Sequence, residues 1–204
     1  MGTPSAKSLV VLLHGVGSRG ADLLPLAQGW RQSLPATAFA VPDGPFAFDG
    51  GGPGRQWFSV SGVTEANRPQ RIVAARPAFD DVLSAAIAQH ELLGHLDRVV
   101  LVGFSQGSIM ALDAIVSGRW PVAALVAYSG RLASPRPFAP AGSTQVLLVH
   151  GTADPVISAG NSTEAAATLR ELGFRTDSQI LPGVGHTITV QGAQLGAEFI
   201  AKVA

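Results

Sequence analysis

The sequence predicts an α/β fold in which a mostly parallel central sheet is flanked by helices. Three observations predict it. Of the 204 residues, 47% are hydrophobic, which is enough to bury a substantial core. Short β-branched apolar runs alternate with longer segments of helical periodicity. Strands that alternate with helices return through right-handed crossovers, which cover both faces of a sheet. We expect residues 1–204 to form one domain of this kind.

Six apolar runs have the length and composition of buried strands, and they comprise residues 9–13, 37–41, 99–104, 122–127, 146–150 and 178–181. Five segments between them have helical periodicity, and they comprise residues 22–34, 71–93, 106–116, 163–172 and 187–203. Two segments interrupt the alternation, residues 42–62 and residues 131–142. Both are rich in residues that break regular structure, so both are predicted to be surface loops.

The charge balance and the cysteine content exclude several kinds of partner and site. Fourteen Lys and Arg balance fourteen Asp and Glu, so no overall field attracts nucleic acid or an anionic membrane. Cysteine is absent, which excludes disulfides, thiolate metal sites and a cysteine nucleophile. The apolar run at residues 9–13 is too short for a signal-peptide core or a membrane span. These features favour a cytoplasmic protein that acts on a small molecule.

The third predicted strand ends in a pattern typical of a nucleophilic serine. Gly103-Phe104-Ser105-Gln106-Gly107 is G-x-S-x-G between an apolar strand and an apolar helix. A sharp turn there requires unfavourable backbone angles at Ser105, and the flanking glycines let the strand and the helix approach closely. The helix N-terminus favours negative charge that develops at the serine. We therefore predict that Ser105 is a catalytic nucleophile.

A nucleophilic serine needs a histidine base and an acid that orients it, and after a turn of this kind they follow in the order serine, acid, histidine. Asp154 follows the strand predicted at residues 146–150, and His186 follows the strand that ends at Leu181. Both are expected at the carboxyl edge of the sheet, where ligands bind. Asp177 is a poorer candidate because it lies at the start of a strand. The remaining histidines are interpreted as solvated or hydrogen-bonded structural residues: His14, His90, His95 and His150.

Backbone N–H groups must also stabilise the oxyanion that forms when serine attacks a carbonyl group. They normally come from the residue after the nucleophile and from the loop after an early strand. These positions are occupied by Gln106 and Val16, which are therefore the predicted donors.

The loop that contains Val16 also supports a competing interpretation. Gly15, Gly17 and Gly20 fit G-x-G-x-x-G between a strand and a helix, and Asp43 follows near the position of a ribose-binding acid. A dinucleotide-binding protein is therefore an alternative. It leaves the ordered serine, acid and histidine without a role.

Four ordered motifs resemble the carboxylesterase/phospholipase family of small α/β-hydrolases, which includes acyl-protein thioesterases and bacterial carboxylesterases. They are Leu13-His14-Gly15-Val16-Gly17, Gly103-Phe104-Ser105-Gln106-Gly107, His150-Gly151-Thr152-Ala153-Asp154-Pro155-Val156 and Gly183-Val184-Gly185-His186. The resemblance covers nearly the whole chain and implies an α/β-hydrolase fold without a large lid domain. It further implies Ser105, Asp154 and His186 as the triad and Val16 and Gln106 as the oxyanion donors.

The activity that the resemblance implies is hydrolysis of short- to medium-chain carboxylic esters, or of thioesters or lysophospholipids, without a metal or cofactor. We expect a monomer or a homodimer. A non-catalytic protein that keeps this fold as a binding surface is a further alternative, because fold alone does not establish activity.

Two features depart from the family pattern. Residues 57–59 read Trp-Phe-Ser where relatives tend to have Trp-aromatic-Asp, and the chain starts almost directly at its first core strand, without the antiparallel strands that often precede it. The loop at residues 42–62 also contains four aromatic residues that are candidates for the wall of a substrate pocket, namely Phe46, Phe48, Trp57 and Phe58. The alternative is that they pin the loop to the core.

Overall fold

The computed structural model describes residues 6–203. Its strands, in chain order, are β1 (Ser8–Leu13), β2 (Thr37–Ala40), β3 (Phe46–Ala47), β4 (Arg55–Gln56), β5 (Val99–Phe104), β6 (Ala124–Tyr128), β7 (Gln145–Gly151) and β8 (Arg175–Leu181). Six of them form one sheet in the order β2-β1-β5-β6-β7-β8, and every neighbouring pair in it is parallel. The short strands β3 and β4 pair antiparallel outside this sheet.

The helices lie on both faces of the six-stranded sheet. They are α1 (Leu24–Trp30), α2 (Arg68–Ala88), α3 (Gln106–Val116), α4 (Gly160–Glu171) and α5 (Val190–Val203). Side chains of a strand point alternately to opposite faces, and β1 illustrates the result. Leu9, Val11 and Leu13 pack in the core beneath α2, α3 and α4, whereas Val10 and Leu12 pack in the core beneath α1 and α5. Within residues 6–203, no helix combines the length and apolarity needed to cross a membrane.

Strand register brings the carboxyl ends of the central strands to one edge. Leu13 at the end of β1 pairs with Gly103 of β5, and Phe104 pairs with Tyr128 of β6. Gly151 at the end of β7 pairs with Leu181 at the end of β8. The loops after β1, β5, β7 and β8 therefore leave the sheet side by side.

Helix α3 forms a rigid support beneath the end of β5. All 11 of its residues are buried, including Asp113. The Asp113 carboxylate accepts hydrogen bonds at 2.9 and 2.8 Å from Arg76 and at 2.8 Å from Arg119. A buried carboxylate is tolerated only when it is paired in this way.

The prediction of a mostly parallel sheet flanked by helices is confirmed, and the element bounds differ in places. The last strand starts at Arg175 rather than at residue 178. It is an edge strand, so its exposed polar side chains interrupt the apolar pattern that a buried strand shows. The first helix is shorter than the predicted residues 22–34 at both ends, because residues 20–23 form a 3-10 turn before α1 begins at Leu24 and α1 ends at Trp30.

The prediction that residues 42–62 form a surface loop is wrong in part. This segment contains the β3–β4 hairpin, and the side chain of Trp57 is fully buried. The indole of Trp57 packs edge-on against Phe79 and donates a hydrogen bond of 2.8 Å to the carbonyl oxygen of His14. Composition alone predicts a loop, because Gly and Pro dominate the segment and hide this anchor.

Candidate active site

Ser105 lies on a sharp turn between β5 and α3. Its backbone angles, φ 52° and ψ −115°, fall in a region that residues other than glycine rarely adopt. Glycine is required on both sides of the turn, because an added Cβ at Gly103 would lie 2.5 Å from Ser108 Cα and one at Gly107 would lie 2.1 Å from the carbonyl oxygen of Leu13. The close approach of strand and helix therefore fixes the serine in its strained position.

The structure brings Ser105, His186 and Asp154 into one hydrogen-bonded chain. Nε2 of His186 lies 2.9 Å from Oγ of Ser105, and Nδ1 of His186 lies 2.7 Å from Oδ2 of Asp154. Asp154 follows β7 and His186 follows β8, so neighbouring parallel strands deliver the two side chains. Asp177 is an exposed residue within the edge strand β8 and has no contact with these three residues.

The carboxylate of Asp154 is buried, and protein donors surround it. Oδ1 accepts hydrogen bonds from the backbone N–H groups of Val156 at 2.8 Å and Ile157 at 2.9 Å. Burial raises the pKa of Asp154, but the hydrogen bonds from His186, Ile157 and Val156 together outweigh burial and hold the pKa below its ordinary value of 3.8. The group is therefore a carboxylate at neutral pH, and Nδ1 of His186 carries the hydrogen that points at it.

This assignment fixes the proton on His186. In a neutral imidazole one nitrogen donates and the other accepts. Because Nδ1 donates to Asp154, Nε2 presents its lone pair to the hydroxyl of Ser105. The arrangement is the one that a general base requires.

The ring of His150 is hydrogen-bonded, as expected from the sequence, and it also contacts Asp154, which the sequence did not predict. Its Nε2 donates to the carbonyl oxygen of Ile157 at 2.7 Å and lies 3.1 Å from Oδ2 of Asp154. The hydroxyl of Ser162 completes the ring's contacts by donating to Nδ1 at 2.7 Å. The signal in the sequence is the spacing, since His150 lies four residues before Asp154 and next to the end of β7.

The loop after β1 lies directly beside the serine. A Cβ added to Gly15 would lie 3.3 Å from Cβ of Ser105. Within residues 6–203, the backbone N–H groups of Val16 and Gln106 have no hydrogen-bond acceptor. The side chain of Gln106 is fixed, because it accepts from the N–H of Trp57 and donates to the carbonyl oxygen of Phe58, both at 2.7 Å.

His14 in the same loop is a structural residue, as the sequence analysis interpreted it. Its Nε2 accepts from the N–H of Gly44 at 2.8 Å, and its Nδ1 donates to the carbonyl oxygen of Gly15 at 2.7 Å. Burial lowers the pKa of His14 from 6.5 and outweighs the hydrogen bond to Gly15, which raises it. The ring is therefore neutral and ties the loop to the segment that follows β2.

Comparison with known proteins identifies the family. The family model described as phospholipase/carboxylesterase matches residues 2–204. The chain belongs to the phospholipase/carboxylesterase family. It is 33% identical over 199 residues to esterase YpfH of Escherichia coli (strain K12), with 96% of this chain and 82% of that protein covered. It is 26% identical over 214 residues to acyl-protein thioesterase 1 of Neurospora crassa, with 95% and 85% covered.

Solved structures agree with this assignment. The crystal structure of esterase PE8 superposes with a TM-score of 0.90 at 36% identity, covering 98% of this chain and 94% of that one. The Bacillus cereus carboxylesterase superposes with a TM-score of 0.81 at 20% identity, covering 100% and 92%, and supports the fold. The α/β-hydrolase fold expected from the sequence is therefore confirmed.

The glycine-rich loop of this family member is packed against its own chain, which disfavours the dinucleotide alternative. Gly17 donates its N–H to the carbonyl oxygen of Arg55, and Gly20 donates its N–H to Asp43, each at 2.8 Å. A Cβ on Gly20 would lie 1.9 Å from the carbonyl oxygen of Val41. Gly20 and Asp43 therefore fasten the loop, and these N–H groups are not free to bind a pyrophosphate.

A carboxylate from the β3–β4 hairpin contacts Ser59. The Asp49 carboxylate accepts hydrogen bonds from the hydroxyl of Ser59 and the amide of Gln56, both at 2.7 Å, and from the N–H of Val60 at 2.9 Å. These contacts, led by Ser59, lower the pKa of Asp49. The carboxylate of Asp49, in the loop of the hairpin, thus fixes the hydroxyl of Ser59.

The four aromatic pocket candidates occupy different environments. Phe46 and Phe58 line a cavity of about 360 Å³ together with Arg71. Phe48 packs against Gly17, with ring atoms 3.3 Å from the position of an added Cβ. Trp57 is fully buried, so its side chain belongs to the core and not to a pocket wall.

Proposed function

We propose that this protein is a serine hydrolase that cleaves carboxylic esters or thioesters through an acyl-enzyme on Ser105. The observation that carries the proposal is the hydrogen-bonded chain from Ser105 through His186 to Asp154 at the carboxyl edge of the sheet. The esterase and thioesterase relatives support the same reaction. Substrates in this proposal are small molecules with short to medium acyl chains, including lysophospholipids, and the protein works in the cytoplasm as a monomer or homodimer.

The first step joins the acyl group to the serine. Oγ of Ser105 attacks the carbonyl carbon while its proton passes to Nε2 of His186. Asp154 stabilises the imidazolium that forms. The carbonyl oxygen becomes an oxyanion and accepts hydrogen bonds from the N–H groups of Val16 and Gln106, which cost little to reorganise because the surrounding contacts already fix them.

The second step releases the alcohol or thiol and then the acid. As the tetrahedral intermediate collapses, the leaving oxygen or sulfur takes the proton from Nε2 of His186. A water molecule then attacks the acyl-enzyme and gives its proton to the same nitrogen. The second collapse frees the carboxylic acid and returns the proton to Ser105.

Substitution of the serine tests the proposal. Ser105→Ala is expected to lower kcat for p-nitrophenyl butyrate by at least about 10³-fold, because the remaining groups supply only binding and oxyanion contacts. Ser117→Ala, which alters a serine at the far end of α3, is the matched control and is expected to retain activity. Full activity in Ser105→Ala, with the fold intact by circular dichroism, would refute the assignment of the nucleophile.

A further inference from the structure

A long apolar groove leads away from His186 across the sheet face that carries α1 and α5. One cavity of about 540 Å³ starts at His186, and a second of about 540 Å³ lies further along the two helices. Both are lined by Pro25, Leu26, Val190 and Ala193, so they join into one trough, here called the α1–α5 groove. Cavities of this size accommodate small-molecule ligands.

The lining of the groove is mostly apolar, although it also includes the charged residues Asp22 and Glu198. Near His186 its walls include Phe104 and Ile188, and at the far end they include Trp30 and Ala197. Val190 lies at the junction with 88% of its surface exposed, the most exposed large hydrophobic residue among residues 6–203. Its side chain adds to the apolar surface that the two cavities share.

The groove extends for a useful length along α5. Val190 starts the helix, and Ala201 lines the far cavity. Ala201 is about eleven positions after Val190, and at a rise of 1.5 Å per residue this corresponds to roughly 16 Å. The trough is thus elongated, which suits a linear chain better than a bulky head.

The chemistry of the site determines which end of an ester enters the groove. His186 gives its proton to the leaving oxygen, so that oxygen must lie beside Nε2 during collapse of the intermediate. The carbonyl oxygen must instead face the N–H groups of Val16 and Gln106, and neither residue lines the groove. Ser105 and Asp154 also line neither cavity, so His186 is the triad residue beside which a chain on the leaving oxygen can enter the groove.

We propose that the α1–α5 groove binds the apolar alcohol portion of the substrate, so that the enzyme selects esters of medium to long linear alcohols. The proposal rests on the function of His186 given above. It assigns selectivity to the leaving group, on the side of the serine where His186 donates its proton.

Two substrate series separate the leaving group from the acyl group. Alkyl butyrates from methyl to octyl vary the alcohol, and methyl esters from acetate to octanoate vary the acid, with proton release followed in a pH-stat. We expect kcat/KM to rise by about two- to fourfold per added methylene of the alcohol, the upper value corresponding to about 0.8 kcal/mol per buried CH₂. A flat response to alcohol length, or a rise confined to the acyl series, would overturn the proposal.

A pair of neighbouring variants locates the effect in the groove. Val190→Asp places a charge at the junction of the two cavities, and Gln191→Asp places the same charge one residue along, at an exposed position that lines neither cavity. Val190→Asp is expected to lose the rise in kcat/KM with alcohol length, and Gln191→Asp is expected to keep that rise. Equal behaviour of the two variants would refute the groove as the binding site.

The two series also distinguish failure of this proposal from failure of the proposed function. If the wild type hydrolyses all esters and Ser105→Ala hydrolyses none, a flat alcohol series rejects the groove alone. If Ser105→Ala remains active, the assignment of Ser105 and His186 fails first, and the direction of the leaving group fails with it.

Discussion

Replacing Asp154 by asparagine changes one carboxylate oxygen to an amide nitrogen and leaves the shape of the side chain unchanged. The two donors on one side, the backbone N–H groups of Val156 and Ile157, are fixed by the loop, so the remaining oxygen of the asparagine must face them. The amide NH₂ then faces Nδ1 of His186. Because an NH₂ group only donates, Nδ1 must become the acceptor, and the proton moves to Nε2.

A proton on Nε2 prevents His186 from taking the proton of Ser105. The same substitution in other Ser-His-Asp enzymes lowers kcat by about 10⁴ while the geometry remains intact. A factor of about 10⁴ corresponds to about 5.4 kcal/mol of transition-state stabilisation. We therefore expect Asp154→Asn to lower kcat for p-nitrophenyl butyrate by about 10⁴-fold, with little change in KM, in steady-state assays at pH 7.5.

The matched control is Asp177→Asn, because Asp177 is exposed in the edge strand β8 and touches none of these groups. Its kinetics are expected to equal those of the wild type. An Asp154→Asn variant that kept more than about a tenth of the wild-type kcat would refute the role assigned to Asp154, since the wrong tautomer permits no such rate.

Three further predictions concern the elements that hold the site. Gly107→Ala places a methyl group 2.1 Å from the carbonyl oxygen of Leu13. We expect this overpacking to destabilise the fold by about 3 kcal/mol and to lower Tm by about 6–12 °C in scanning calorimetry. An unchanged Tm would contradict the close packing of α3 on β1. His14 is neutral in the fold, with a pKa below 6.5. The unfolded chain therefore takes up the proton first as the pH falls below 6.5. In urea unfolding, we expect the free energy of unfolding to fall by up to about 1.4 kcal/mol per pH unit because of this group. The His14→Gln variant should lack this contribution. His150→Phe removes the polar contacts of the ring with Asp154 and Ile157. We expect the free energy of unfolding to fall by about 1–3 kcal/mol and kcat to change more than KM. An unaltered free energy of unfolding would argue against a structural role of His150.

The sequence was sufficient for the features that local chemistry dictates. Residues 99–116 form strand β5, the turn at Ser105 and helix α3 with the predicted bounds, because a buried apolar strand, a glycine-flanked serine and an apolar helix leave few alternatives. Strand-end positions also predicted that the loops with Asp154 and His186 would share one edge, since parallel strands place their carboxyl ends together.

Features that depend on contacts between distant segments were not predictable from the sequence. Trp57 lies in a segment with the composition of a loop, yet its indole is buried against Phe79. Asp49 reaches Ser59 through the pairing of two very short strands. The support of Asp154 by His150 likewise appears only when the loop after β7 folds back over its own strand.

The central claim is that Ser105 carries the acyl group, and covalent labelling tests it most directly. The protein is treated with an alkyl fluorophosphonate, which reacts with activated serine hydroxyls, and the adduct is located by peptide mass spectrometry. We predict a single adduct on Ser105, with none in Ser105→Ala and slow labelling in Asp154→Asn. Labelling of another serine, such as Ser108 or Ser129, or no labelling of an active preparation, would contradict the account.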